Sequence, residues 1–225
     1  MTATGIINAG GKSSRMGTNK ALLKIGEKTV IEQIADELKK VVSSIIIVTN
    51  TPSEYEFLGL PIVEDKWKGM GPLAGIHAGL NATKTDKNLV VACDMPFISS
   101  ELGAVLLNYL HDYQAAVPQI SGQLHPLFAA YRKDVKEEIN NSLQNEQLRI
   151  RYFLQHVQAK IVTEDDLNEL KFPFQASHFF NMNHPEEFEE ALTLFSNFNH
   201  DQNESKNAFN DVGVQDDKKL RESRD

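Results

Sequence analysis

The chain has 225 residues, with 23 Lys plus Arg against 31 Asp plus Glu and a formal net charge of -8. That length suits one α/β domain with a substantial core, and an acidic balance without a long basic run excludes a polymeric nucleic-acid partner. No apolar stretch approaches the roughly 20 residues of a membrane-spanning helix, and a lone cysteine, Cys93, with no signal-type opening segment points to a reducing cytoplasm.

The N-terminal stretch GIINAGGKSSRMGTNK begins with a short buried strand at Ile6 and Ile7, which stops at Gly10 and Gly11. Adjacent glycines let the backbone turn and approach a ligand closely. Lys12, Ser13, Ser14, Arg15 and Lys20 then add positive charge, hydroxyls and backbone N–H groups, the chemistry of a polyphosphate cradle. A Walker A loop is excluded, because Ile6 stands where its first glycine would be. The adjacent glycines likewise do not match GxGxxG. A Gly/Ser surface loop with incidental basic residues remains the competing reading of this stretch taken alone.

TVIEQIADELKKV places Val30, Ile31, Ile34, Ala35 and Leu38 at helical spacing, with Thr29 as N-cap. Ile45 to Val48 reads as a central parallel strand ending at Asn50, and Leu60 to Val63 as a shorter one running into Glu64 and Asp65. A glycine-rich loop leads to a helix from Leu73 to about Thr83 with Pro72 in its first turn. Leu89 to Cys93 is a further buried strand, running into Asp94. Helices are expected over 101–111, Val135–Leu143 and Leu148–Val157, and strands over Ala115–Pro118, Leu127–Tyr131 and Phe179–Met182. A last helix follows in NHPEEFEEALTLF, with Pro185 in its first turn. The alternation indicates a layered α/β domain over 1–195. Residues 196–225 lack a workable apolar period and read as a disordered polar tail.

Asp65 and Asp94 both stand where buried strands give way to loops, the edge at which open α/β sheets bind ligands. Asp94 is the best single candidate for a Mg²⁺ ligand, an ion that uses one or two carboxylates plus phosphate oxygens. Alone, it would be explained as well by an Asx turn. Together with the loop it suggests nucleoside triphosphate and magnesium, and so nucleotidyl transfer.

AGGKSSRMGTNKALL, GPLAGIHAGL, CDMPF and NMNHPEEF, in that order and spacing, resemble the molybdenum cofactor guanylyltransferases over about residues 4 to 195. The resemblance implies a single-domain, three-layer Rossmann-like nucleotidyltransferase fold with a mostly parallel sheet. It also implies transfer of GMP from GTP to the terminal phosphate of molybdopterin or the molybdenum cofactor. Carried over by position, the GTP-binding loop falls on Asn8, Ala9, Gly10 and Gly11, the phosphate-binding lysine on Lys20 and the loop arginine on Arg15. The nucleotide-contacting aspartate falls on Asp65, the Mg²⁺ aspartate on Asp94, and residues near the pterin on Asn181, Asn183 and His125. Transient contact with cofactor-handling or acceptor proteins is a further implied partnership.

Two positions depart from the family. Asn8 stands where leucine is usual, so an extra amide faces either the base or the core, and His184 replaces a threonine ahead of Pro-Glu-Glu, where it is a poorer N-cap. His125 reads equally well as a hydrogen-bonded histidine at a strand start. The alternatives are a cytidylyltransferase for the same pterin, a sugar-phosphate nucleotidyltransferase, and a catalytically silent nucleotide-binding adaptor. Ala9-Gly10-Gly11 favours guanine among the first, and the joint presence of Asp94, Lys20 and Arg15 argues against the last.

Overall fold

β-branched runs too short for a helix and apolar at every position can be buried only between two layers, and three such runs form the centre of the molecule. A computed structural model describes residues 2–10 and 19–197. In it β1 (Ala3–Asn8) lies between β4 (Ser44–Val48) and β6 (Lys87–Ala92), parallel to both, with Ile6 paired to Ile46 and Val90. Between β1 and β4 come the short antiparallel pair β2 (Lys24–Ile25) and β3 (Lys28–Thr29) and helix α1 (Val30–Lys39). β5 (Ile62–Val63) extends the parallel set beyond β4, narrower than the apolar run from Leu60 suggests.

Helix α2 (Pro72–Ala82) returns the chain to β6, and α3 (Ser100–Tyr109) leads to β7 (Ala115–Ile120), β8 (Gln123–Leu124) and β9 (Phe128–Arg132). β9 inserts antiparallel between β6 and β7. Helices α4 (Lys136–Gln144) and α5 (Ile150–Leu154) precede edge strand β10 (Ala159–Thr163), parallel to β7, and helix α6 (Glu164–Glu169). The main path of the sheet is β10-β7-β9-β6-β1-β4-β5. Helix α7 covers residues 185–197.

Alternate residues of each central strand feed opposite layers. Ile7, Ile47 and Val91 pack in one core cluster with Ile31, Ile34 and Leu38 of α1 and Leu102 and Leu106 of α3. Ile6, Val48 and Val90 face the other, with Leu73, Ile76 and Leu80 of α2 and Ile139 and Leu143 of α4. This is the expected three-layer arrangement with a mostly parallel sheet. Thr29 caps α1 in a reciprocal box: its hydroxyl accepts from the backbone N–H of Glu32, whose carboxylate accepts from the N–H of Thr29 at 2.7 Å.

Three expectations need correction, and two elements go beyond the sequence reading. Phe179–Met182 is not a strand: a 3-10 turn occupies Ala176–Phe179, and the chain beyond it runs unpaired to α7. Its apolar side chains serve packing against one face, with Phe179 and Met182 buried in the first cluster. The helix expected over Leu148–Val157 is only the five residues of α5, because the chain turns to feed β10. β10 and α6 were not expected at all. The last helix continues through residue 197, two residues into the stretch read as a tail, and the rest of that stretch lies outside the described residues.

Candidate active site

β6, β1, β4 and β5 are parallel neighbours, so their C-terminal ends share one edge of the sheet. Each end delivers a polar residue to that edge: Asp94 after β6, Asn8 closing β1, Asn50 after β4 and Asp65 after β5. The hydrogen-bond ladder continues past the strands, with Cys93 N donating to Asn8 O at 3.2 Å, Ala9 N to Val48 O at 2.8 Å and Thr49 N to Val63 O at 3.0 Å. These side chains are therefore presented from a rigid lip. At about 4.8 Å per strand, Asp94 and Asp65 lie three spacings apart and can grip the two ends of an extended ligand.

The lip walls a cavity of about 1180 Å³. Asn8, Ala9, Gly10, Asp65 and Asp94 line it together with Thr49, Asn50, Lys68 and the first turn of α2. Gly71 opens that turn at φ +74°, a backbone conformation L side chains rarely adopt, and with Pro72 next in line it leaves helix N–H groups without a side-chain cap. Asp65 is buried and its Oδ1 accepts from Trp67 N at 2.7 Å, so it turns the chain and faces the cavity.

Lys20 and Asp94 form the charged end. Lys20 opens a 3-10 turn (Lys20–Leu22) capped by Asn19, whose Oδ1 accepts from Ala21 N at 3.1 Å. Its Nζ donates to Asn183 Oδ1 at 3.0 Å and stands 4.0 Å from Asp94 Oδ2, with the two charged side chains only 13% and 23% exposed. Burial pushes the Asp94 carboxyl above its ordinary pKa, the charge of Lys20 pulls it back, and the net shift is upward. A buried carboxylate incompletely balanced by one ammonium fits a divalent cation. Among the described residues no group of three His, Cys, Asp or Glu side chains could hold a metal unaided, so an ion on Asp94 needs oxygens from its ligand, as Mg²⁺ characteristically takes them.

The chain ahead of α7 is fastened across this end. Met182 N donates to Asp94 O at 3.0 Å. Glu187 accepts from the backbone N–H groups of Asn183 and, at 2.9 Å, of His184, so an acidic residue in the first turn supplies the cap that His184 does not. Asn183 is thereby positioned against Lys20.

Asn181 and His125 are placed differently. The Asn181 amide donates to Phe179 O at 3.1 Å, and the His125 ring lies 4.4 Å from that of Phe179. Neither lines the cavity. Burial pushes the His125 imidazole down, favouring its neutral form. Gly11 and Arg15 lie outside the described residues.

Several cavity residues are not among the site candidates drawn from the sequence. Asn50 follows a buried strand and obeys the rule that singled out Asp65 and Asp94, but carries no charge to draw notice. Asn19 immediately precedes Lys20, and its Nδ2 donates to the hydroxyl of buried Tyr55 at 2.8 Å and to the Glu54 carboxylate. Burial pushes the Tyr55 phenol far up, so it stays protonated. Cys93 also lines the cavity, its thiol pushed by burial up to about 12 and so inert as a nucleophile.

Residues 5–161 match the MobA-like NTP transferase domain. A probable molybdenum cofactor guanylyltransferase of Pelotomaculum thermopropionicum is 40% identical over 197 residues, 88% of this chain and 95% of that protein. One of Carboxydothermus hydrogenoformans is 37% identical over 191 residues, 84% and 95% of the respective chains. Among solved structures, molybdopterin-guanine dinucleotide biosynthesis protein A of Archaeoglobus fulgidus superposes with a TM-score of 0.73 at 23% identity, over 86% of this chain and 99% of its own, a likeness of fold. With more than half of its length matched by the domain and the two relatives alike over nearly their full lengths, this chain belongs to the MobA-like NTP transferase family.

Proposed function

We propose that this protein transfers GMP from GTP to the terminal phosphate of molybdopterin or the molybdenum cofactor, releasing pyrophosphate. The observation that carries the reading is the Lys20–Asp94 pair at the mouth of a parallel sheet, whose Asp94 lines a cavity of about 1180 Å³, near the upper end of the about 300–1,000 Å³ of ligand pockets. A cavity of that size admits a nucleoside triphosphate at the Asp94 end. The relatives named as probable guanylyltransferases support the choice of nucleotide and acceptor.

The acceptor phosphate attacks the α-phosphorus of GTP in line with departing pyrophosphate, so two anions meet and their charge must be offset. Lys20, held by Asn183, places an ammonium beside the transferring phosphates before reaction begins, which avoids reorganisation in the transition state. The family resemblance assigns a second cation to Arg15, which lies outside the described residues. Asp94 would hold Mg²⁺, whose contribution when bound is to neutralise charge on phosphate oxygens. Ala9 and Gly10 let the backbone approach the base closely, and Asp65 contacts the nucleotide at the far end. A general base is unnecessary, because a phosphate nucleophile is already ionised near neutral pH. Asn181 and His125 are assigned to the pterin side, against Phe179. The lone Cys93 and the net charge of -8 suit a cytoplasmic enzyme.

Pyrophosphate release measured with GTP and molybdopterin, together and singly, tests the reading. Release that requires both supports it. Binding of GTP without any release would favour the silent nucleotide-binding adaptor.

A further inference from the structure

Asn8 is the one neutral polar side chain that β1 contributes to the cavity, and its carboxamide is unusually confined. A β-carbon built on Gly75 would lie 2.5 Å from Oδ1, 2.6 Å from Nδ2 and 2.7 Å from Cγ, so the amide lies flat against the first turns of α2 and only glycine leaves room for it. Its nitrogen points to the Pro72 carbonyl, to which it donates at 3.4 Å. Its oxygen lies on the Gly10 side, 3.7 Å from where a Gly10 β-carbon would stand. Both ends of the amide thus meet the helix at Gly75, and the oxygen in addition borders the ligand-approach loop at Gly10. Two rungs of one contact make this arrangement: Ile6, two residues earlier on the same face of β1, presses on Gly79 as Asn8 presses on Gly75.

The polar capacity of Asn8 exceeds what the protein uses. Asn8 lines the cavity, and the weak bond to Pro72 occupies one N–H, leaving Oδ1 without a hydrogen-bond partner among the described residues. Phosphates need donors and cations, which Lys20 supplies at the Asp94 end. An unpartnered amide oxygen bordering the loop at Gly10 instead matches a ligand group that donates.

Resting on the guanylyltransferase reading, we propose that the Asn8 side chain is a specificity-determining residue, its Oδ1 accepting a hydrogen bond from the 2-amino group of guanine, with Gly75 as the socket that sets the amide orientation. The backbone around Ala9 and Gly10 brings the base near, and Asn8 adds a side-chain reader for the one exocyclic donor that inosine lacks.

The experiment compares kcat/KM for GTP and ITP, with molybdopterin as acceptor, in the wild type, Asn8→Leu, Gly75→Ala, Asn8→Ala and Asn8→Ala/Gly75→Ala. Losing one such partner costs roughly tenfold. The wild type should prefer GTP by about that factor, and Asn8→Leu, similar in volume and without an acceptor, should bring the ratio near one. Gly75→Ala should lower the ratio when Asn8 is present and leave it unaltered in the Asn8→Ala background, where the added methyl meets no amide. A purely structural role for Gly75 would not depend on Asn8 in this way. Melting curves on each variant establish that folded protein is compared. A wild type that prefers GTP with an Asn8→Leu ratio unchanged overturns the role of Asn8 alone. A wild type that does not use GTP overturns both this inference and the guanylyltransferase reading.

Discussion

Asp94→Asn should abolish most turnover and at the same time raise the melting temperature at neutral pH. The attraction of Lys20 for Asp94 at 4.0 Å is about 4 kcal/mol at an effective dielectric near 20, yet burial outweighs it and the carboxyl titrates above its ordinary value. The folded chain therefore holds the Asp94 proton to higher pH than the unfolded chain does. Stability from this group is fully present below the ordinary carboxylate pKa and is lost as pH rises through the raised one. Asparagine has nearly the same shape and no charge to desolvate. The variant should melt a few degrees higher at pH 7, since about 1 kcal/mol moves Tm by roughly 2–4 °C in a chain of this size. The difference should close in acid, where Asp94 is itself neutral. Turnover should fall by at least the about 10²–10³-fold typical of removing one preorganised electrostatic contact. Scanning calorimetry from about pH 3 to about pH 8, with pyrophosphate release on the same samples, reads both effects. A variant that melts lower at neutral pH, or whose advantage persists in acid, refutes the desolvation argument, and wild-type turnover refutes the role of Asp94 at the phosphates.

Three further outcomes follow from particular contacts. Lys20→Ala should lower kcat by about 10²–10³-fold, and a variant changed only in Tm would mark the lysine as a structural partner of Asn183. Thr29→Ala breaks the reciprocal cap of α1 and should cost about 1 kcal/mol, seen as a Tm lower by roughly 2–4 °C with no change in nucleotide preference; an unaltered Tm would show that the cap adds nothing. Gly79→Ala would drive a methyl into Ile6 Cγ2 where α2 lies on β1, an overpacking expected to cost about 1–3 kcal/mol, and denaturant unfolding at wild-type midpoint would contradict that contact.

What could be read from the sequence depended on how completely an element is buried. β1, β4 and β6 are apolar almost throughout because both faces are covered, and their runs stand out. β10 is an edge strand paired only with β7, mostly half-exposed along AKIVT, and has no such run. Phe179–Met182 is apolar for a different reason, packing irregular backbone on the core, and composition does not separate that from a strand. The site divides along similar lines. Asp94 was legible because a carboxylate close behind a buried strand is unusual, and Asp65 because it follows an apolar run, although β5 itself is only half-buried. Asn50 and Asn19 were not, since neutral amides are common in turns and acquire meaning only through what they face. Gly75 matters because Asn8 lies across from it, a relation between two elements far apart in the chain.

The central claim, guanylyl transfer, is tested most directly by kcat/KM for GTP, CTP and ATP with molybdopterin as the acceptor and the dinucleotide product identified by mass. A site whose hydrogen-bonding groups match one base leaves them unpaired with another, at about 1–3 kcal/mol for each unmet partner. GTP should therefore be preferred more than tenfold, with the guanine dinucleotide as product. A preference for CTP would make the protein a cytidylyltransferase, and equal use of all three nucleotides would contradict base reading by the loop at Ala9 and Gly10.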